Sequence, residues 1–403
     1  MLGDSAEAAK AFNPTSHSHR RLNPLTGESV LVSPHRTKRP WQGAVEPPQL
    51  DNRPQYDPKC YLCPGNERAG GIKTEKYAGT FIFENDFAAL VEDAVLPPQH
   101  KSEDESEGFF FKQQPARGKC YVICFSPRHD LTVAEMSTDE ILNVVKAWTE
   151  LYTDVSQQYP WINYIQIFEN KGSMMGCSNP HPHGQAWSLS YVPSTPQKMF
   201  DNQVKYALSR KPQQHTPTLS NGLACLLLEY ANAEIAKQRQ NGEDDSRVLL
   251  IGDHFVCLVP FWAQWPFETM IVPYKRHIPN LPEMTDSEAQ ELAGMIGATT
   301  RRMDNLFECS FAYSMGLYQA AVHRPNVDLT ASIPIDAQAD AVEHGALFSQ
   351  FHIGFYPPLL RSSTVKKFVV GFELFAEAQR DITPEQAAKR LRELPDEHYK
   401  GRL

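Results

Sequence analysis

The chain has 403 residues and a formal net charge of −9, with 41% hydrophobic and 22% charged residues. That length requires two domains or one large double unit, and the apolar share supports a sizeable core. The acidic balance argues against nucleic acid as a partner. No run of about twenty apolar residues is present to span a membrane, and eight cysteines scattered over such a length point to a reduced, cytoplasmic setting rather than a disulfide framework.

Residues 1–19 read as a loose polar leader without an apolar signal core. "SPHRTKRPW" (33–41) is a small basic cluster that either meets an anion or is a solvated loop. "CYLCPGN" (60–66) is a CxxC turn, and no thioredoxin-like context surrounds it, so metal is favoured over redox use. Cys60 and Cys63 need two more ligands for a tetrahedral zinc site, and His129 and His181 could complete it. The acidic stretch 99–108 and the polar stretch 209–222 are expected to be flexible insertions.

A weak internal repeat follows. A strand run, "CYVICFSPRHD" (120–130), leads to a helix whose Ser137 and Glu140 fit a capping box. Ile141, Val145, Trp148, Tyr152 and Val155 share one face of that helix. A second strand, "YIQIFEN", and the segment "GCSNPHPHGQAW" (176–187) close the first copy. The later copy has a strand region at 255–274, then a helix capped by Thr285 and Glu288 with Leu292, Met295, Thr299 and Met303 in period. It ends with the strand "SQFHIGFYPP" (349–358). Aligned on the last strand, His181 meets His352 and His183 meets Gly354, so one copy keeps the paired imidazoles. A helical segment at 221–242 lies between the copies, and Thr383, Pro384 and Gln386 open a C-terminal helix.

In an extended segment His181 and His183 point the same way, while Pro180 and Pro182 place that strand at an edge or near its end. Gly176 and Gly184 permit close backbone approach. The imidazoles are either a metal pair or one ligand and one nucleophile. If His181 completes the zinc site, His183 is left free to attack phosphorus. Gln185 cannot act as a general acid, but its amide can donate to developing phosphoryl charge. That suffices when the leaving group is a weakly basic sugar 1-phosphate.

Over about residues 20–395 the chain resembles the galactose-1-phosphate uridylyltransferase family of the histidine-triad superfamily. The resemblance is carried by "NPLTGESVLVSPHRTKRPWQG", "CYLCPGN", "FENDFAAL", "FENKGSMMGCSNPHPHGQAW", "ECSFAYSMG" and "YPPLLRSSTVKKFVVGFELFAEAQRDITPEQAAKRLREL". It implies an α+β fold of duplicated histidine-triad-like units, each a mainly antiparallel sheet with helices, joined into one large half-barrel-like sheet. On that scheme 20–200 carries zinc and nucleophile, 201–243 connects, and 244–403 contributes the sugar-binding segment. The implied reaction is ping-pong exchange of UMP between UDP-glucose and galactose 1-phosphate through uridylylated His183, assisted by Gln185 and Ser178.

The resemblance assigns zinc, one per subunit, to Cys60, Cys63, His129 and His181. Substrate contacts fall to Arg36, Arg39, Ala69, Asn85, Asp86, Asn170, Gly176, Cys177, Ser178, Gln185, Lys367, Phe368, Phe372, Glu373 and Gln379. Arg36 and Arg39 would reach the neighbouring subunit's site in a homodimer, where guanidinium forks suit diphosphate oxygens. Two departures stand out. Bacterial relatives carry a second metal, usually iron, on one glutamate and three histidines; those places hold Met199, Tyr318, His352 and Gly354 here, so no iron is expected. Phe372 stands where a tyrosine is common, which removes a hydroxyl from the sugar pocket. A nucleoside-diphosphate-sugar phosphorylase using inorganic phosphate is the rival enzyme reading, and a non-catalytic nucleotide-binding or zinc scaffold is the third.

Overall fold

A computed structural model describes residues 12–38, 53–93, 110–111, 113–322, 347–360 and 362–402. The acidic stretch 99–108, most of the leader and Arg39 lie outside the described residues. Two short strands, β1 (His19–Leu22) and β2 (Ser29–Val32), form a hairpin, and β12 (Ala378–Arg380) adds to β2 in parallel.

Among the described residues the body is one nine-stranded sheet in the order β3-β4-β6-β5-β10-β11-β9-β8-β7. Its first half contains β3 (Phe81–Glu84), β4 (Gly118–Cys124), β5 (Tyr164–Lys171) and β6 (His183–Leu189). Its second contains β7 (Val248–Ile251), β8 (Phe255–Leu258), β9 (Thr269–Pro273), β10 (Tyr313–Tyr318) and β11 (His352–Tyr356). Every pairing in this sheet is antiparallel, and β5 against β10 joins the halves.

The repeat expected from sequence is visible in the strand order. β3, β4, a helix, β5 and β6 correspond to β8, β9, a helix, β10 and β11. The two helices are α1 (Thr138–Gln158) and α4 (Asp286–Phe307), each opened by the expected reciprocal capping box. They pack against each other on one face of the sheet. Ile141, Val145, Trp148, Tyr152 and Val155 are all buried there, with Ile123, Ile167, Met315 and Ile353 beneath them. Each aliphatic chain so buried contributes roughly 1.5–3 kcal/mol. The next residues along the same strands face the other way: Val122 and Cys124 cover the CxxC turn, and Met270 and Val272 meet α2 (Ser194–Ser209) and α3 (Leu226–Asn241). Strands sandwiched on both faces read as continuous apolar runs, which is why they were legible.

Two expectations need correction, and one is resolved. β6 is interior, between β4 and β5, so of the two places expected for its prolines, a sheet edge or a strand end, the structure takes the strand end. The helix expected over 221–242 begins only at Leu226, and the polar insertion expected from residue 209 is preceded by α2, whose start at Ser194 carried no sequence cap. The internal alignment is also off by two residues. The caps Ser137 and Thr285, and the pairs Arg128–His129 and Arg276–His277, make Phe168 equivalent to Gly316. Phe168 is opposite Gln185 and Gly316 is opposite Gly354. His183 therefore corresponds to His352, and His181 to Gln350.

β1 is tied to the body by buried charges. Glu385, in the first turn of α5 (Pro384–Arg392), takes Arg21 Nη1 at 2.9 Å and Arg247 Nη1 at 2.6 Å; Arg247 also meets Glu234 at 2.7 Å. The Thr383–Gln386 capping box, with Pro384 at N1, starts α5 as expected.

Candidate active site and metal centre

Cys60, Cys63, His129 and His181 converge, although His129 and His181 lie on segments far from the CxxC turn. Their ligand atoms all lie within 4.8 Å of one another, and all four residues are buried. Cys63 Sγ is 3.6 Å from Nδ1 of both His129 and His181. Tetrahedral bonds of about 2.3 Å to sulfur and about 2.0 Å to nitrogen put S and N roughly 3.6 Å apart, so the donor set fits a metal ion. The tautomer of His181 fits as well. Its Nε2 lies 2.9 Å from the Ser126 carbonyl, which only accepts, so Nε2 carries the proton and Nδ1 keeps a lone pair toward the sulfurs. Burial lowers the His181 pKa to about 4, which keeps the ring neutral.

His183 begins β6, immediately past this cluster. Its Nδ1 donates to the His181 carbonyl at 2.8 Å, leaving Nε2 unprotonated, and burial pushes its pKa below the ordinary imidazole value. The ring lines a cavity of about 360 Å³ together with Asn170, Cys177, Ser178, His181 and Arg53. A left-handed turn at Gly176 (φ 77°), which L side chains rarely adopt, swings the 177–179 backbone along this cavity. Gln185, on the same face of β6, accepts Trp187 Nε1–H through Oε1 at 3.2 Å, so its NH₂ is left to donate elsewhere.

Other residues named by the sequence lie apart from that cavity. Asn85 Oδ1 caps the Phe87 amide at 2.9 Å, Asp86 pairs with Arg68 at 3.6 Å, and Ala69 opens a short 3-10 turn. Lys367 pairs with Glu373 at 2.8 Å and donates to the Gln379 carbonyl at 2.6 Å. Gln379 reaches Asp381, which also meets Arg36 at 3.3 Å. These residues form a second centre: Lys367 and Glu373 line a separate cavity of about 440 Å³ with Gln264 and Trp265. Phe368 and Phe372 stand exposed beside it.

Sequence reasoning missed Arg53, Glu169 and Lys171, all of which line the His183 cavity. Arg53 Nη1 donates to the Pro180 carbonyl at 2.6 Å across 127 residues, a proximity no local pattern could reveal. Lys171 pairs with buried Asp304 at 2.7 Å. Burial raises the Glu169 pKa to about 7, and its carboxyl takes the Tyr313 hydroxyl at 3.0 Å. The signal for Glu169 and Lys171 lay in "FENKG", where charged residues alternate at the end of an otherwise buried strand.

Residues 10–193 match the family described as galactose-1-phosphate uridyl transferase, N-terminal domain, and residues 199–403 match its C-terminal domain. The chain belongs to the galactose-1-phosphate uridyl transferase family. Proteins called galactose-1-phosphate uridylyltransferase from Kluyveromyces lactis (45% identical, 98% of each chain) and Haemophilus influenzae (43%, 97% of this chain and 98% of the relative) are similar to it. In fold, this member of the family matches a solved uridylyltransferase at a TM-score of 0.64 and 24% identity, over 93% of this chain and 97% of that one. It also matches an ADP-glucose phosphorylase from Arabidopsis thaliana at 0.65 and 21%, over 94% and 100%.

Proposed function

We propose that the chain transfers UMP from UDP-glucose to galactose 1-phosphate through a covalent UMP–His183 intermediate. The observation that carries the reading is the His183–His181 lock, which fixes Nδ1 as the protonated nitrogen at the wall of a cavity. Nε2 attacks the α-phosphorus, the bond from that phosphorus to the bridging oxygen breaks, and glucose 1-phosphate leaves. A phosphate oxygen of galactose 1-phosphate then attacks the same phosphorus. The P–N bond breaks, UDP-galactose leaves, and neutral His183 returns. Gln185, whose oxygen is engaged by Trp187, donates its N–H to the phosphoryl oxygens, and Ser178 and Asn170 hold the nucleotide from the cavity wall.

Zinc is the metal that suits two thiolates and two imidazoles, and four protein ligands leave no open position, so its part is structural. When bound it ties the CxxC turn to the segment that delivers His183. We assign no metal to the second half, where Met199 and Tyr318 lie beside the His352 imidazole. The division at 20–200, 201–243 and 244–403 follows the same scheme: nucleophile in one half, sugar segment in the other.

Lys367 and Glu373 line their own cavity, and a homodimer would bring them, with Arg36 and Gln379, to a neighbour's His183. The exposed apolar run Phe368, Val369, Val370, Phe372, Leu374 and Phe375 is the surface available for that contact. Among the described residues no helix is long and apolar enough to cross a membrane, and a cytoplasmic setting suits thiol ligands.

Intact-mass measurement after brief exposure to UDP-glucose tests the reading. One added UMP, mapped to His183 and discharged by galactose 1-phosphate as UDP-galactose, is the expected result. Discharge by inorganic phosphate alone, giving UDP, would favour a phosphorylase; absence of any adduct would remove the covalent route.

A further inference from the structure

Asn179 is a polar side chain with 6% exposure, wedged between Cys60 and the peptide of His181. Its Oδ1 accepts the His181 backbone N–H at 3.0 Å. A backbone N–H can only donate, so the amide oxygen must face it, and the amide nitrogen is thereby turned toward Cys60, 3.4 Å from Sγ. Oδ1 is nearly as close to that sulfur, at 3.5 Å. Because His181 N–H fixes the oxygen, the amide N–H is the group left to meet the sulfur of a metal-bound Cys60.

The chain of contacts continues without a gap. The carbonyl of His181, the residue whose backbone N–H Asn179 holds, accepts His183 Nδ1–H at 2.8 Å. Arg53 holds the preceding carbonyl, that of Pro180, at 2.6 Å, and Cys177 Sγ donates to the Asn179 carbonyl at 3.0 Å. One amide side chain thus runs from a metal ligand to the backbone N–H of the residue whose carbonyl aims the nucleophile.

We propose that Asn179 is a positioning residue that couples the metal-bound state of Cys60 to the aim of the His183 imidazole. It touches no reacting atom, and its role rests on the reading of His183 as the uridylylated group. Partners that orient metal ligands change metal affinity or activity by about 10–100-fold when removed, and a nucleophile displaced by about 1 Å can lose about 100-fold in rate.

Asn179→Asp separates the two contacts, because it keeps an oxygen for His181 N–H but places a charge and no donor beside the sulfur. Zinc transfer to a chromophoric chelator should be about 10–100-fold faster than from wild type. Single-turnover labelling by UDP-glucose, at saturating zinc, should slow by about tenfold or more while the half-saturating substrate concentration changes by less than about threefold. Asn179→Ser, whose shorter hydroxyl can serve one partner at a time, should fall between, and it stands in if the aspartate variant fails to fold. Labelling within twofold of wild type at saturating zinc would overturn the coupling, whatever the zinc transfer rate. A wild-type enzyme that takes no label would instead overturn the functional reading.

Discussion

His352 holds in the second half of the sheet the place that His183 holds in the first. Both rings donate Nδ1–H to the carbonyl two residues back, His183 to His181 at 2.8 Å and His352 to Gln350 at 3.2 Å. What differs is what lies beyond Nε2. His183 faces a cavity, whereas Nε2 of His352 is buried without a hydrogen-bond partner among the described residues, and the ring is stacked at 4.7 Å on Tyr318, whose hydroxyl meets that of Tyr356 at 3.0 Å. Duplication kept the imidazole lock and filled one of the two pockets with phenol rings.

The filling is tight enough to test. A Cβ at Gly354 would lie 2.6 Å from Tyr356 Oη. Gly354→Ala is expected to lose about 1–3 kcal/mol by overpacking, read from urea unfolding, without changing the single-turnover labelling rate.

The same pair of histidines separates chemistry from scaffold. His183→Gly should abolish the UMP adduct and reduce turnover by at least about a thousandfold. His352→Asn should still take one UMP per chain, with its loss confined to stability. Adduct mass and urea midpoint, measured on both variants, give the comparison; an unlabelled His352→Asn protein would contradict the assignment.

Metal content distinguishes the two halves again. Purified protein should carry one equivalent of zinc and no iron. Cys60→Ser or His129→Ala should lose the zinc, because either leaves three ligands, while His352→Asn should keep it. Elemental analysis reads each case directly.

Acid stability follows from Glu385. Burial alone would raise its pKa, but Arg21 and Arg247 outweigh burial and hold it down at about 2. A carboxyl near 4.3 when unfolded and lower when folded stabilises the native state above the unfolded value, and that stability fades as pH falls toward 2. The shift amounts to about 3 kcal/mol at neutral pH. Glu385→Gln should cost about that much at pH 7 and about half as much at pH 3, measured by urea unfolding at both.

Much of this was legible in sequence because local chemistry decided it. Ser137, Thr285 and Thr383 each announced a helix start through a partner three residues on, and the spacing of buried side chains fixed the faces of α1 and α4. The metal cluster was legible because a CxxC turn needs two further ligands; His129 and His181 were candidates from the sequence, and family likeness assigned them. Register was not legible. Matching histidine patterns favoured His181 with His352, whereas the hydrogen-bond ladder, which connects residues about 150 apart, decides for His183. Arg53 and Asn179 escaped notice for a related reason: each acts on a backbone group, and main-chain partners leave no trace in side-chain composition.

The seam between β5 and β10 carries a consequence for how the molecule must be made. Tyr313 to Leu317 lie against Lys171 to Ile167 in an unbroken ladder at the middle of the sheet, so a chain cut between the halves would bare a long apolar strand on each piece, a template for aggregation. Fragments synthesised together should find one another through that border, while either fragment synthesised alone should precipitate.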